Sequence, residues 1–237
     1  MRKNIPNAIT SLNLFSGCLA MVLAIEGDTA TAAYFIFAAA VFDFCDGFAA
    51  RLLNARSQLG LQLDSLADAL SFGAAPSAMI YSLLRQGLPD GWPVFAPFLA
   101  FLIVVFSALR LAKFNIDERQ SESFIGLPTP ACALIICGLP FMQNRIDGEI
   151  LFYLTAALIP ILSFLLICEL PMFSLKIKKQ NSFSAFARKY LPQILLLIFT
   201  ATFLILFGIL GLSLGIASYI LLSAVFARFL KSGKCRN

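Results

Sequence analysis

Long apolar segments dominate this chain and constrain its fold more than any other feature. A run of about 17–25 apolar residues is long enough to cross a bilayer as a helix. The runs predict helices near 7–25, 31–52, 63–84, 93–113, 129–142, 149–170, 191–210 and 212–230. Hydrophobic residues fill 59% of the 237 positions and charged residues 13%, against about 25% charged in a typical soluble domain. We therefore predict an all-α, polytopic membrane helix bundle with about eight transmembrane helices.

Some of the predicted helices carry further signals. The first could be mistaken for a signal peptide, but Asn7, Thr10 and Asn13 interrupt its apolar stretch and no convincing cleavage site follows. We therefore expect it to be a retained transmembrane helix. The fifth is short and follows the sequence GLPTP, so we expect it to be tilted or partly re-entrant. The last two are expected to form a tight helical hairpin through the small residues around Gly211.

The distribution of basic residues predicts the orientation of the bundle. If both termini are cytoplasmic, every Lys and Arg except Arg85 and Arg145 lies on the cytoplasmic side. Cytoplasmic loops of membrane proteins carry such an excess. We therefore predict a multi-pass protein of the cell (inner) membrane with both termini cytoplasmic. The net charge of +5 then reflects loops that face anionic lipid, the largest being KIKKQNSFSAFARKY, and we expect no nucleic-acid partner.

The types of residue present exclude some chemistry. The chain has no histidine, which excludes any mechanism that needs an imidazole base or ligand. The six cysteines are scattered without CxxC spacing, mostly within apolar runs, so they are interpreted as buried apolar side chains. The candidates for a functional site are therefore the acidic residues and their neighbours.

The segment from Phe42 to Gly73 gathers four aspartates in an otherwise apolar region. At about 100° per residue, five residues of the second predicted helix share one face within an arc of roughly 140°: Asp43, Asp46, Gly47, Ala50 and Arg51. Three residues of the third predicted helix stack at i, i+4 and i+8: Gly60, Asp64 and Asp68. The short connection predicts that the two helices are antiparallel neighbours, so their acidic faces should meet near the cytoplasmic end.

Four carboxylates cannot all stay ionised in a low-dielectric region without a counter-charge. Ion pairs with Arg51 and Arg56 would leave two of the four acids unpaired, because only two cations are nearby in the sequence. Two divalent cations, Mg²⁺ or Mn²⁺, would bind carboxylate oxygens and could clamp a phosphoryl group. Gly47 and Gly60 would let a polyphosphate or nucleotide approach the backbone. The spacing favours metal-dependent phosphoryl chemistry, with ion transport and structural ion pairing as alternatives.

The pattern of acids and glycines resembles the signature of a known family. It reads Asp43-x2-Asp46-Gly47-x2-Ala50-Arg51-x8-Gly60-x3-Asp64-x3-Asp68, which is similar to that of the CDP-alcohol phosphotransferases at every specified position. The resemblance implies a six-helix membrane core, usually a homodimer, with a dinuclear metal site open to the cytoplasmic leaflet. It also implies transfer of a substituted phosphate from a CDP-linked donor to an alcohol, with release of CMP. We expect the core to occupy 1–190, and a transmembrane hairpin with a basic tail to occupy 191–237.

The same resemblance implies a role for each residue of the pattern. The implied metal ligands are Asp43, Asp46, Asp64 and Asp68. Asp68 is also the implied general base. The implied binding residues for the CDP part of the donor are Gly47, Ala50, Arg51 and Gly60. A related membrane protein that had lost catalysis would be expected to lack some of these acids, and none is missing.

Two further stretches bear on the acceptor alcohol. The sequences PNAITSLNLFSG and RLAKFN…FIGLPTPA resemble those of bacterial and archaeal phosphatidylserine synthases within the family. The resemblance implies CDP-diacylglycerol as donor and L-serine as acceptor. Arg110, Lys113 and Asn115 are the candidate acceptor-binding residues, with Arg110 the expected ligand of the serine carboxylate and Lys113 the expected membrane anchor. Glycerol 3-phosphate or inositol phosphate would also need cations, so charge alone does not distinguish these acceptors.

Overall fold

A computed structural model describes residues 4–55, 57–116, 126–143, 145–168, 196 and 198–220. Every regular element in these ranges is helical. The α-helices are α1 (Ile5–Glu26), α2 (Thr29–Leu52), α3 (Gln58–Asp68), α4 (Ala75–Gln86), α5 (Leu102–Ile116), α6 (Thr129–Ile136), α7 (Gly148–Ile167), α8 (Ile198–Phe207) and α9 (Ile209–Ile220). A π-helical turn, Ala69–Ala74, joins α3 to α4, and 3₁₀ turns lie at Ala96–Phe101 and Leu139–Met142.

The helices confirm the predicted multi-pass bundle. By length and apolar composition, four of them are candidate membrane spans: Ile5–Glu26, Thr29–Leu52, Ala96–Ile116 and Gly148–Ile167. The third predicted span corresponds to α3, the π turn and α4 together, and the fifth corresponds to the short helix α6 and its 3₁₀ turn. Parts of the predicted helices at 149–170, 191–210 and 212–230 lie outside the described residues. The cytoplasmic position of the termini remains a prediction.

Small residues let α1 and α2 pack closely. Gly27, with φ at 98°, ends α1, and the Asp28 side chain accepts a hydrogen bond of 3.0 Å from the Thr31 N–H at the start of α2. The facing positions are alanines with no exposed surface: Ala20, Ala24, Ala32, Ala33 and Ala39. Membrane helices associate through such small residues because their backbones can then approach each other. Helix α1 also packs against α3 and α4 and therefore organises this half of the bundle.

Hydrogen bonds join the helix ends at one end of the bundle. The Gln86 amide donates to the carbonyl of Gly27 (3.5 Å), and the Gln143 amide donates to Gln86 Oε1 (2.7 Å). Arg85 and Arg145 are near this end in sequence, whereas the turn between α2 and α3 lies at the opposite end. The helix order thus separates these two arginines from the acidic segment, as the predicted topology requires.

The π turn after Asp68 was not predicted from the sequence. Its residues pack tightly, because Phe72 is fully buried and a Cβ at Gly73 would come within 3.3 Å of Ser107 on α5. On the opposite side, α1 approaches at Gly17, where a Cβ would meet Ser71. π turns are frequent at functional sites. This one begins directly after Asp68.

The hairpin of α8 and α9 differs in detail from the prediction. Its turn lies at Gly208, with φ at 61°, and Gly211 is instead in α9, against the backbone of Phe203. The predicted turn around Gly211 is therefore wrong by three positions. The Ser213 hydroxyl donates to the Leu134 carbonyl (2.6 Å), which attaches the hairpin to α6. The division into 1–190 and 191–237 falls within residues that the structure does not describe and remains a prediction.

Candidate active site

Three aspartates from two helices converge near the α2–α3 end of the bundle. Carboxylate oxygens of Asp43 on α2 and of Asp64 and Asp68 on α3 all lie within 4.8 Å of one another. Asp46, one turn along α2, is outside this group and is 5% exposed. The acidic faces therefore meet, as the helical spacing predicts.

The backbones of α2 and α3 reach this arrangement indirectly. Both helices pack against α1, and they make little close backbone contact with each other. The chain turns between them with Asn54 in the left-handed region (φ 48°), a conformation that asparagine tolerates better than most residues. The Ser57 hydroxyl then accepts a 3.0 Å hydrogen bond from the Gly60 N–H and caps α3. The carboxylates consequently face a space between the helices.

The acids have too few counter-charges among the described residues, where Arg110 interacts with Asp68. Asp46 Oδ2, Asp64 Oδ1 and Asp68 Oδ1 are buried and have no hydrogen-bond partner there. The Arg51 Nε donates to the carbonyl of Gly47 (3.0 Å), on its own helix. Arg56, the other cation of the ion-pair alternative, lies outside the described residues. Within the described part of the chain, the interaction of Arg110 with Asp68 thus leaves most of the acidic charge unpaired.

The donor set fits divalent cations. Mg²⁺ and Mn²⁺ prefer hard oxygen ligands, and carboxylates supply both the ligand atoms and the compensating charge. The convergence of Asp43, Asp64 and Asp68, together with the unpaired oxygens, satisfies both requirements. The cluster could therefore bind metal.

A cavity of about 880 Å³ opens beside the cluster. Its size is within the roughly 300–1,000 Å³ usual for ligand pockets. The cavity wall includes the four residues predicted to bind the donor: Gly47, Ala50, Arg51 and Gly60. Asp46 and Asp64 also line it, and α1 contributes Pro6, Asn7 and Thr10. The predicted donor residues and two of the acids therefore share one cavity.

The two cavity glycines have different surroundings. A Cβ at Gly60 would come within 3.0 Å of Asn7 Oδ1 and of Ser57 Oγ, so the protein itself leaves little room there. A Cβ at Gly47 would meet no protein atom within 4 Å. Packing therefore does not explain a glycine at 47, but a ligand that approaches the backbone of α2 would.

The three candidate acceptor residues lie in different environments. Arg110 is 8% exposed, its Nε has no described hydrogen-bond partner, and it interacts electrostatically with Asp68. Lys113, three positions further along α5, is exposed. The Asn115 amide donates to the Ser65 hydroxyl (2.9 Å) and so connects α5 to α3. Of the three, Arg110 is the one buried beside the acids.

Sequence reasoning missed one polar residue of this region. Asn13 on α1 is fully buried, and its side chain lies beside Asp68. The signal is present in the sequence, because Asn13 interrupts an apolar stretch and lies within PNAITSLNLFSG, but neither observation predicts that it lies beside Asp68. Helical periodicity within α1 could not show that this position faces α3.

Comparisons with known proteins place the chain among membrane-lipid enzymes. The sequence model of the CDP-alcohol phosphatidyltransferase family matches residues 3–167, which include the acidic cluster and the cavity residues. A curated relative from Bacillus subtilis (strain 168), named CDP-diacylglycerol–serine O-phosphatidyltransferase, is 39% identical over 142 residues, or 60% of this chain and 78% of the relative.

Two further relatives carry the same name. The one from Mycobacterium tuberculosis (strain ATCC 25618 / H37Rv) is 38% identical over 142 residues, or 57% of this chain and 48% of the relative. The one from Methanocaldococcus jannaschii is 34% identical over 140 residues, or 59% of this chain and 62% of the relative. The matched part of this chain thus spans about half the length of the mycobacterial relative.

The acidic cluster predicts a metal-dependent stability. Mn²⁺ should raise the thermal unfolding midpoint of the detergent-solubilised protein, because a ligand at 100 times its Kd stabilises the folded state by about 2.7 kcal/mol. Without metal, Asp64→Asn should unfold at the same or a higher temperature than the parent, since it removes like-charge repulsion, and it should lose most of the response to Mn²⁺. Asp90→Asn, at an exposed position outside the cluster, is the matched control. An unchanged Mn²⁺ response in Asp64→Asn would contradict its role as a ligand.

Proposed function

The chain belongs to the CDP-alcohol phosphatidyltransferase family, and on that premise we propose that it transfers the phosphatidyl group of CDP-diacylglycerol to the hydroxyl of L-serine. The products would be phosphatidylserine and CMP. The observation that carries the proposal is the group of acids with unpaired oxygens, two of which line a cavity large enough for a nucleotide. The shared name of the relatives supports CDP-diacylglycerol and serine as the substrates.

The cavity is the proposed site of the CDP part of the donor. Arg51 would bind a phosphate or the cytidine end, because its Nε is held by the Gly47 carbonyl and the rest of its guanidinium remains available. Gly47 leaves open space for the donor against α2. Ala50 and Gly60 complete the wall with little side-chain bulk.

Four aspartates are the proposed ligands of two Mg²⁺ or Mn²⁺ ions: Asp43, Asp46, Asp64 and Asp68. When bound, such ions neutralise charge on the two phosphates of the donor as the bond to CMP loosens. The structure supports this assignment through the convergence of three of the carboxylates and the burial of the fourth.

Asp68 is the proposed general base. It would accept the proton of the serine hydroxyl while the hydroxyl oxygen attacks the lipid-bearing phosphorus, and CMP would leave with the electrons of the broken bond. A carboxylate is a weak base, so its contribution comes mainly from holding the hydroxyl in position. Direct transfer is favoured, because no described residue near the acids has the character of an activated nucleophile.

Arg110 is the proposed ligand of the serine carboxylate. It is buried beside Asp68, and its Nε lacks a described partner, so a bound anion would satisfy it. Asn115 would act indirectly by holding α5 against α3 through Ser65. Lys113 is assigned to the membrane interface because its side chain is exposed.

We also propose that the protein is a homodimer of the cell (inner) membrane whose active site faces the cytoplasm. The support for the orientation is the distribution of basic residues along the chain. The family resemblance supports the dimer.

CMP release from CDP-diacylglycerol tests the proposed reaction. Purified protein should release CMP when Mg²⁺ or Mn²⁺ and L-serine are both present, and phosphatidylserine should form in equal amount. Glycerol 3-phosphate and inositol phosphate serve as competing acceptors. Release with either of these but not with serine would reject the acceptor, and the absence of release with every acceptor would reject the reaction.

The acceptor site predicts different effects of two neutralised cations. Arg110→Gln should raise the KM for serine roughly tenfold or more, because a charge-assisted hydrogen bond contributes about 1.5–3 kcal/mol. Its KM for CDP-diacylglycerol should change far less. Lys113→Gln is the matched control on the same helix and should saturate with serine as the parent does. If Arg110→Gln also saturates like the parent, the serine carboxylate binds elsewhere.

The donor site predicts that Gly47→Ala separates stability from activity. Alanine stabilises a helix interior by roughly 0.5–1 kcal/mol relative to glycine, and the protein has space for the methyl group. The variant should therefore be at least as stable as the parent, yet show a higher KM for CDP-diacylglycerol because the methyl group occupies donor space. Gly148→Ala, where a Cβ also meets no atom within 4 Å, is the control. A parental KM in Gly47→Ala would show that the donor does not approach this backbone.

A further inference from the structure

The Asn13 side chain is a buried amide that makes no well-formed hydrogen bond. The residue has no exposed surface, and neither Oδ1 nor Nδ2 is paired with a described residue. An asparagine amide offers two N–H donors and one acceptor oxygen, and burying such groups unpaired is unfavourable. The hydrogen bond that joins Asn13 to the π turn involves its main chain, since the Ser71 hydroxyl donates to the Asn13 carbonyl (3.0 Å). Packing alone therefore gives no reason for an amide at this position.

The contact between α1 and the π turn holds Asn13 in place. Gly17, one helical turn further along α1, lies so close to the π turn that a Cβ would come within 2.9 Å of Ser71 Cβ. The Ser71 hydrogen bond adds a second fixed point beside Asn13. These contacts therefore hold the backbone of α1 at Asn13 against the turn that follows Asp68.

The neighbour of this amide is the Asp68 carboxylate. The two side chains lie close enough to interact, and Asp68 Oδ1 is itself buried and unpaired. The amide donor thus lies within interaction distance of an anionic acceptor without a well-formed hydrogen bond, and a small rearrangement would complete it. Asn13 does not line the cavity assigned to the donor, unlike Asn7 and Thr10 on the same helix. The Asn13 amide therefore faces Asp68 and not the donor cavity.

We propose that Asn13 is a positioning residue whose amide N–H donates to Asp68 Oδ1 in the working enzyme and holds that carboxylate toward the acceptor hydroxyl. The inference rests on the proposed function, in which Asp68 is the base. Hydrogen bonds from an amide to a carboxylate are charge-assisted and directional. A residue in this role should affect the turnover number and leave donor binding unchanged.

Two variants of Asn13 test the proposal. Asn13→Leu keeps the approximate size and removes the amide, and Asn13→Asp keeps the shape but replaces the N–H donors with a carboxylate. Both should lower kcat roughly tenfold to hundredfold, the effect of losing one charge-assisted hydrogen bond. The KM for CDP-diacylglycerol should stay within about twofold of the parental value, because Asn13 is outside the donor cavity.

Thermal unfolding separates positioning from a structural role. Asn13→Leu removes an unpaired buried amide and should therefore unfold at the same or a higher temperature than the parent. Thr155→Val is the matched control, since Thr155 is also fully buried with an unpaired hydroxyl, on a helix that carries no proposed site residue. The control should show the same direction of stability change and a parental kcat.

Several results would overturn the proposal. A kcat within about threefold of the parent in either Asn13 variant would exclude donation to Asp68 as a contribution to turnover. A lower unfolding temperature of Asn13→Leu, with activity lost in proportion to folded protein, would show that the residue is structural. If Asn13→Leu does not accumulate, Asn13→Asp decides the question by its kcat. The parent protein is assayed in parallel with serine, glycerol 3-phosphate and inositol phosphate. If it uses one of the other alcohols and not serine, serine is rejected as the acceptor. The kcat values of the Asn13 variants are then measured with the alcohol that the parent uses.

Discussion

The repulsion among buried carboxylates is the constraint on which the rest of this structure depends. Two unit charges 4 Å apart interact by about 4 kcal/mol at an effective dielectric constant of 20, and three of these aspartates place oxygens within 4.8 Å of one another. Whenever these carboxylates are ionised, their repulsion would drive α2 and α3 apart unless other contacts held the helices together. The alanine-rich contact of α1 with α2, and the contact of Gly17 with the π turn, supply that hold. The apolar bundle thus keeps the acids assembled before any cation arrives.

Local patterns explain which features could be predicted from the sequence. The apolar runs indicate the helices, because whether a segment can span a membrane depends on its length and composition. The spacing of the acids indicates which helix face they occupy, because Asp43 and Asp46 lie within one helix and Asp64 and Asp68 within another. The π turn could not be predicted, since it depends on contacts of Gly17 and Ser107 with residues distant in sequence. The hairpin turn was placed at Gly211 instead of Gly208 because neighbouring small residues look equivalent in a sequence.

Residues that face the site from other helices mark the limit of such reasoning. Arg110 and Lys113 are separated by three positions, yet one is buried beside Asp68 and the other is exposed. The spacing leaves both on roughly one side of α5, and the packing of α5 against the rest of the bundle decides which of them turns inward. Asn13 is the same case on α1, where the sequence shows a polar residue but not its neighbour. The roles of these residues consequently depend on tertiary contacts.

Charge balance connects the proposed metals, donor and acceptor. Two divalent cations would neutralise four carboxylates, after which Arg51 on the cavity wall and Arg110 beside Asp68 leave the site positive. A diphosphate can then enter a site that would otherwise repel it, and the zwitterionic acceptor brings a carboxylate to the buried arginine. The cations thus compensate the carboxylates, and the diphosphate of the donor and the carboxylate of the acceptor compensate the remaining positive charge. An ion-transport pathway would need carboxylates along a route across the membrane, whereas these acids are gathered in one group about two to three helical turns from the α2–α3 turn.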